Sequence, residues 1–285
     1  MDGILIINKP AGFTSHDVVN VLRKELNIKK IGHTGPLDPN ATGVLPILIG
    51  QATKVSKYLI EHDKEYVAEL KLGIKTSTGD LEGEIIEEKE FPNLNIEEIK
   101  KTLRLFLGKH EQIPPIYSAI KINGKKAYEY ARNNEQINLE PRKIEIYNID
   151  LLNFENDIIK FKVKCSKGTY IRVLCEDIAV KLGTVGTMQS LCRTKVDKFN
   201  IEDSITIGEI KEKGTEFVEK NLISIEDAFS NLQTIKLNTR KTELFLNGVK
   251  LSVESEDGVY RVYNSSNFLG LGIIEHKLLK RDVIV

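Results

Sequence analysis

Hydrophobic and polar residues alternate along several stretches of the chain, and this alternation predicts β-strands. The sequence EYVAELKLG at 65–73 changes side at almost every residue, which is the period of a half-buried strand. A short apolar run at 3–7 predicts another strand, and Asn8-Lys9-Pro10 ends it because proline has no amide donor for a ladder. The same signals predict strands through 85–86 and over 144–152 and 158–165.

Apolar residues spaced three or four positions apart predict helices. Val18, Leu22 and Leu26 share one face of a predicted helix that begins at Thr14 or Ser15 and ends near residue 26. The other predicted helices cover 51–61, 95–107, about 172–182, and a lysine- and glutamate-rich stretch that ends at residue 220. Periodicity alone leaves open how the predicted strands are ordered in a sheet.

The last part of the chain is predicted to form a separate, smaller unit. Residues 232–285 are rich in strand signals, at 258–262 and 268–274, with a predicted turn at 264–267. No cluster of candidate catalytic residues occurs in this tail, so we interpret it as an accessory module. We divide the chain into domains at 1–222 and 223–285.

The stretch 32–45, GHTGPLDPNATGVL, is the strongest candidate for a functional loop. Its glycines and prolines exclude helix and central strand, and apolar residues flank it on both sides. A rigid loop on an apolar scaffold is a common place for catalytic residues, and Asp38 is its only carboxylate. From loop composition alone, the commoner alternative is that Asp38 caps a turn, because Asp-Pro often starts one.

Composition describes an ordinary globular protein of 285 residues, with 41% hydrophobic and 29% charged residues. Its start lacks a signal-peptide pattern, and no apolar run approaches the length of a membrane span. Three cysteines without a CxxC pair suit a reducing compartment, so we expect a cytoplasmic protein. We expect no metal or nucleotide cofactor, because the chain lacks GxGxxG, GxxxxGK[ST], HExxH and zinc-type spacing.

Charge is neutral overall but unevenly distributed. The chain has 41 basic and 41 acidic residues, yet five basic residues and no acidic one occupy 160–172. After Pro114-Pro115, a lobe at about 112–140 mixes tyrosines with lysines, a pattern typical of nucleic-acid binding. On pattern alone, a surface hairpin with a short helix is an equally good interpretation.

The motifs together resemble the TruB family of tRNA pseudouridine synthases. The loop sequence GHTGPLDPNATGVLPILIGQATK resembles the family signature. Four further segments match in order: GILIINKPAGFTSHDVV, KEYVAELKLGIKTSTGDLEGE, PPIYSAIKINGKKAYEYAR, and CSKGTYIRVLCEDIAVKLG followed by LCRTKVDKF. They cover most of residues 3–199. The resemblance implies an enzyme that isomerises uridine-55 in the T-arm of tRNA to pseudouridine.

The resemblance also implies a fold and a set of site residues. The fold is α+β, with a mixed, largely antiparallel sheet flanked by helices and a C-terminal PUA-like β domain. Asp38 is implied as the catalytic carboxylate, Arg172 as its partner, Tyr66 as the ring that stacks on the target base, and His33 as the residue that fills the space of the flipped base. Such an arginine should lower the pKa of the Asp38 carboxyl.

Other residues are expected to contact RNA. Lys9 and Lys54 are candidates for phosphate or structural contacts, and the lobe and the turn before Arg172 supply Tyr117, Lys121, Lys125, Lys126, Arg132 and Lys167. The sequence departs from the family pattern at Pro36, in GTVGTMQSL and at Asp197. These departures bear on the details of substrate contact and not on the expected chemistry. The expected partner is tRNA, and we expect a monomer.

Two alternatives belong to other classes. The chain could bind RNA without catalysis, but the intact set of Asp38, Tyr66 and Arg172 argues against that. It could also modify a different RNA as a guide-dependent archaeal or eukaryotic relative. Those versions carry longer basic extensions, which this sequence does not have, so a stand-alone bacterial enzyme is the favoured hypothesis.

Overall fold

The computed structural model of the protein describes residues 1–118, 120–133, 135, 137–265 and 267–285. The strands are β1 Gly3–Lys9, β2 Ile31–His33, β3 Thr42–Ile49, β4 Lys64–Leu72, β5 Ile74–Thr76, β6 Ile85–Glu88, β7 Gly108–Gln112, β8 Lys121–Ile122, β9 Lys125–Lys126, β10 Arg142–Glu155, β11 Ile158–Cys165, β12 Gly186–Val196, β13 Phe199–Asn200, β14 Thr234–Leu237, β15 Leu251–Ser252, β16 Gly258–Asn264, β17 Asn267–Glu275 and β18 Leu278–Ile284. The α-helices are α1 Ser15–Leu26, α2 Ser56–Ile60, α3 Ile96–Arg104, α4 Ala127–Arg132, α5 Ile171–Lys181, α6 Ile207–Lys220, α7 Ile225–Ala228 and α8 Thr239–Leu246, with 3₁₀ turns at Gly50–Val55 and Ile201–Asp203.

A large mixed sheet organises the first two thirds of the chain. Its order is β1-β3-β12-β4-β11-β10-β7, with β2 added to β3 and β13 added to β12. The pairings are antiparallel except for β3 with β12, which run parallel. Strand β4 alternates half-buried and buried residues from Glu65 to Leu72, as the sequence pattern predicts. The central place of β4 and β12 brings residues from distant parts of the chain side by side.

Helices cover both faces of this sheet. Helices α3 and α5 pack over a core that contains Leu70, Phe161 and Ile178, whereas α1 and α6 pack over one with Leu22 and Ile47. Helix α1 begins where predicted, because the Thr14 hydroxyl accepts a hydrogen bond from the Asp17 amide while the Asp17 carboxylate caps Thr14. The observed architecture is the predicted α+β arrangement.

The C-terminal unit is a second sheet of order β14-β16-β17-β18-β15. Leu271 and Val283 of this sheet pack in one core with residues of β1 and β3, including Ile4 and Leu48. The Asp282 carboxylate accepts hydrogen bonds from Lys57 and Tyr58 of helix α2. The β-rich tail is therefore packed firmly against the main sheet. The predicted turn at 264–267 includes Ser266, which lies outside the described residues.

The predicted helix at 51–61 is only partly correct. The chain forms a 3₁₀ turn over Gly50–Val55 and then the short helix α2. The Thr53 hydroxyl donates to the Gly50 carbonyl at 2.8 Å, and this local bond competes with the α-helical ladder. Helix α6 also bends, at Gly214, which has a positive φ of 72°.

The lobe at 112–140 contains the short hairpin β8–β9 and helix α4. The surface hairpin and short helix of the second interpretation are therefore present and carry tyrosines and lysines, while RNA binding by the lobe stays a prediction. Ala119, Asn134 and Gln136 of this lobe lie outside the described residues.

Candidate active site

An open cavity of about 740 Å³ lies where several parts of the chain converge. The loop between β2 and β3, strands β4 and β12, the starts of α1 and α5, and the lobe each contribute to its wall. The lining includes seven of the predicted site residues: His33, Asp38, Tyr66, Tyr117, Lys126, Arg132 and Arg172. The fold thus gathers residues separated by up to 139 positions (33 to 172) around one space.

The Asp38 loop is held in shape by its own backbone and by close packing. The Asp38 carbonyl accepts a hydrogen bond from the Ala41 amide at 3.1 Å, so the turn after Asp38 is closed by main-chain groups. At Gly43, φ is 102°, and an added Cβ would lie 2.2 Å from the Arg193 carbonyl oxygen. Only glycine fits there. The Asp38 side chain takes no part in capping among the described residues and turns toward Arg172 instead.

Arg172 is buried at the start of α5 and binds Asp38 through two nitrogens. Its Nε lies 3.1 Å from Asp38 Oδ2, and its Nη2 donates to Oδ1 at 3.4 Å. The guanidinium also donates to the Thr78 carbonyl at 3.0 Å and the Tyr117 carbonyl at 2.9 Å. Because these carbonyls fix the guanidinium plane, Asp38 is held by a rigid partner.

The pKa of the Asp38 carboxyl is raised, not lowered. Burial is the largest cause, and it outweighs the opposing charge of Arg172. Asp80 adds to the rise, because its carboxylate lies 3.8 Å from the same guanidinium and repels the charge on Asp38. The expectation that Arg172 gives Asp38 a lowered pKa is therefore wrong in its net direction. Asp38 requires a higher pH to ionise than an exposed aspartate does.

Tyr66 forms part of the cavity wall from near the start of β4. The residue is 8% exposed, and burial raises the pKa of its phenol to about 12. The hydroxyl is therefore protonated at neutral pH. Its ring lines the cavity together with Leu191. This arrangement offers an aromatic face and a hydroxyl to a flat polar group such as a nucleobase.

His33 lies at the rim of the same cavity. Its Nδ1 accepts a hydrogen bond from the Gly35 amide at 3.3 Å. Burial lowers the pKa of the imidazole, and the charge of Arg193 lowers it further. His33 is therefore neutral at pH 7.

Family comparison settles the class of this protein. Residues 23–171 match the family model "TruB family pseudouridylate synthase (N terminal domain)", and residues 172–229 match "tRNA pseudouridylate synthase B C-terminal domain". The chain belongs to the TruB family. It is a pseudouridine synthase, an isomerase, as the resemblance of its motifs implied.

Curated relatives of this TruB-family chain match it over nearly its full length. The protein named "tRNA pseudouridine synthase B" of Alkaliphilus oremlandii is 44% identical over 97% of this chain and 94% of its own length. The one of Caldanaerobacter subterraneus subsp. tengcongensis is 42% identical over 98% of both chains. Among solved structures, a Cbf5-Nop10-Gar1 complex has a chain with a TM-score of 0.72 and 25% identity, covering 99% of this chain and 83% of that one. The fold is therefore the predicted pseudouridine synthase fold with a β-rich C-terminal unit.

The predicted RNA contact of Lys9 in this TruB-family chain is wrong. Its side chain is completely buried. The Nζ atom donates to the carbonyls of Pro10 at 2.8 Å, Phe13 at 2.5 Å and Pro39 at 2.8 Å. A lysine in that position cannot reach a phosphate, so the structural alternative for Lys9 is correct. Lys54 is exposed and donates to the Ile284 carbonyl at 3.1 Å, so a phosphate contact of Lys54 stays a prediction.

The remaining predicted RNA contacts lie on two surfaces. In the lobe, Lys126 and Arg132 flank the Tyr128 ring at 5.3 and 5.4 Å, and Lys125 lies 5.7 Å from Tyr130. Lys121 and Lys125 are exposed but do not line the cavity. Lys167 forms an ion pair with Glu61 and is also outside the cavity lining.

Two charged residues of the site were not predicted from the sequence. Asp80 accepts a hydrogen bond from the Thr78 hydroxyl at 2.5 Å and shares Arg172 with Asp38. Arg193 lies behind Tyr66 and the Asp38 loop. A signal for Asp80 exists in TSTGD, where a threonine two positions before an aspartate favours a closed turn. The signal for Arg193 is an arginine on the buried side of an alternating strand.

In the described part of the chain, no group of three His, Cys, Asp or Glu side chains is placed to hold a metal ion. None of its helices is long and apolar enough to cross a bilayer.

Proposed function

We propose that this protein isomerises uridine-55 in the T-arm of tRNA to pseudouridine, with Asp38 as the nucleophile. The observation that carries the proposal is the Asp38 carboxylate, which is paired with a buried arginine and faces an open cavity beside a tyrosine ring. The names of the full-length relatives at 42–44% identity support tRNA as the substrate. The cavity is wide enough to receive a base turned out of an RNA loop.

The reaction needs no redox change and no external energy. The bond from N1 of uracil to C1′ of the ribose breaks, the base turns, and C5 bonds to C1′. The C5 proton is then lost and N1 regains a proton. One ionised carboxylate can serve this sequence as a nucleophile, either at C6 of the base or at C1′ of the sugar.

The neighbours of Asp38 have separate roles in this proposal. Arg172 keeps the carboxylate oriented and favours its ionised form against the effect of burial. Tyr66 stacks on the flipped base, and its hydroxyl, protonated because its pKa is about 12, can donate to a base oxygen or move a proton. His33, neutral and at the rim, occupies the space that the flipped base leaves in the RNA loop.

RNA binding in this proposal uses the lobe at 112–140 for direct recognition. Lys126 and Arg132 line the cavity and supply charge for phosphates, while Tyr117 and Tyr128 supply rings for bases. We further propose the domain division at 222, with 223–285 as a PUA-like module that adds RNA contacts. A monomer acting in the cytoplasm, without a metal or nucleotide cofactor, remains our prediction.

The test compares two aspartate variants on an unmodified T-arm stem-loop. Asp38→Asn keeps the shape of the side chain but removes its charge, so turnover should be lost while RNA affinity stays near that of the wild type. Asp203→Asn, at an exposed position outside the cavity lining, is the matched control and should retain full activity. Conversion by Asp38→Asn at the wild-type rate would refute the nucleophile. Binding by the wild type without conversion would favour the alternative of an RNA-binding protein.

A further inference from the structure

Arg193 is a buried cation beneath the active site, bound by backbone carbonyls. The residue is 3% exposed and lies on β12. Among the residues that the structure describes, no carboxylate oxygen lies within 4.0 Å of its guanidinium, whereas Arg172 has two such neighbours. A buried charge without a counter-charge is expensive and is tolerated only where hydrogen bonds replace the lost water.

The guanidinium of Arg193 donates hydrogen bonds to the backbone of the Asp38 loop. Its Nε donates to the Val44 carbonyl at 2.7 Å, Nη1 to the Pro36 carbonyl at 3.3 Å and Nη2 to the Gly35 carbonyl at 3.2 Å. Gly35 and Pro36 precede Asp38, and Val44 follows it. One side chain therefore joins both ends of the loop that carries the nucleophile.

The sheet register places the same guanidinium beside Tyr66. Arg193 is paired with Tyr66 across β12 and β4, and with Gly43 across β12 and β3. The positive charge of the guanidinium opposes the effect of burial on the pKa of the Tyr66 phenol. Arg193 thus binds the Asp38 loop and is the cross-strand neighbour of Tyr66.

We propose that Arg193 is a positioning residue for the isomerisation, which holds the Asp38 loop and the Tyr66 phenol in one fixed arrangement. The inference rests on the proposed roles of Asp38 and Tyr66. Arg193 does not line the cavity and is not a catalytic residue; it acts through the groups that do. Its fork of donors matters as much as its charge, because three carbonyls in different directions need a planar, branched cation.

Arg193→Lys tests this inference because it keeps the charge and removes the fork. Arg261→Lys is the matched control, since Arg261 also donates from Nε to a backbone carbonyl, that of Leu232 at 3.1 Å, but in the C-terminal sheet. Folding is checked by urea unfolding, RNA affinity by titration with a T-arm stem-loop, and chemistry by single-turnover conversion at saturating RNA. Should Arg193→Lys not fold, Arg193→Gln at low temperature, which keeps an amide donor, takes its place.

We expect Arg193→Lys to lower the single-turnover rate constant by about 100-fold, the effect of a displacement near 1 Å in a catalytic group, with RNA affinity unchanged. Arg261→Lys should match the wild type. In a Tyr66→Phe background the loss from Arg193→Lys should be smaller, because part of the effect passes through the phenol.

A wild-type rate in folded Arg193→Lys would overturn the inference. The inference would also be overturned if the double variant with Tyr66→Phe showed the product of the two single-variant rate losses, since a purely structural role of Arg193 predicts no coupling. Both results would leave the proposed function standing, because that depends on the loss of turnover in Asp38→Asn.

Discussion

Replacing Lys9 by methionine should destabilise the protein without changing how RNA binding depends on salt. Methionine keeps the apolar length of the side chain but removes the ammonium. The Pro39 carbonyl would still accept from the Gly12 amide at 3.0 Å. The carbonyls of Pro10 and Phe13 have Lys9 as their donor in the described structure and would lose it.

The size of the effect follows from these two carbonyls. An acceptor left without a partner in a buried site costs about 1–3 kcal/mol, which gives about 2–6 kcal/mol for the pair. Burial lowers the pKa of Lys9 to about 8, which shows that the buried ammonium is destabilised by the loss of water around it. Removing the ammonium relieves this destabilisation and so offsets part of the loss. We expect the free energy of unfolding to fall by about 2–4 kcal/mol, a large share of a typical total of about 5–15 kcal/mol.

Urea unfolding measures this loss, and Lys198→Met is its control. Lys198 also donates to two carbonyls, those of Asp227 and Ala228, but from an exposed position, so its loss should change stability by no more than about 0.5 kcal/mol. The slope of log affinity against log salt for a T-arm stem-loop should stay the same in Lys9→Met. Wild-type stability together with a slope reduced by about 0.7–0.9, the value of one phosphate contact, would show that Lys9 binds RNA after all.

Further predictions concern chemistry and RNA binding. Tyr66→Phe should keep RNA affinity and lower the rate of conversion by about 10²–10⁴-fold if the hydroxyl transfers a proton; unchanged kinetics would remove it from the mechanism. Lys125→Ala with Lys126→Ala should reduce the salt slope by up to about 1.8, and an unaltered slope would place the lobe away from RNA. Activity should fall as pH drops through the raised pKa of Asp38. Arg172→Gln removes the positive charge that lowers this pKa, so the residual activity of the variant should fall at a higher pH than that of the wild type. A shift to lower pH would contradict the account.

Much of the fold could be predicted from local pattern. Strand β4 and helix α1 form as expected, because alternation and a capping sequence act over a few residues. The 3₁₀ turn at Gly50–Val55 could not be predicted from periodicity, since a single threonine hydroxyl changes the local hydrogen bonding. The mixed, largely antiparallel sheet was expected only from family resemblance. The order of its strands was not predicted, because pairing such as β3 with β12 joins residues about 150 positions apart (42 to 192).

The site, like the fold, could be predicted only in part from the sequence. The composition of the loop pointed to Asp38, and resemblance pointed to Arg172, which the structure places in contact with it. The direction of the Asp38 pKa could not be foreseen, because it depends on the depth of the loop and on Asp80. Lys9 was wrongly predicted as a possible phosphate contact for a related reason. Its ammonium donates to the carbonyl of Pro39, 30 residues away, and local sequence does not show this contact.

The most direct test of the whole account is to map pseudouridine, nucleotide by nucleotide, in an unmodified tRNA transcript treated with the purified protein and no cofactor. We predict that the wild type converts the single uridine at position 55 and that Asp38→Asn, at the same protein concentration, converts none. Conversion at another position, or equal conversion by both proteins, would contradict the assignment of this cavity and of its carboxylate.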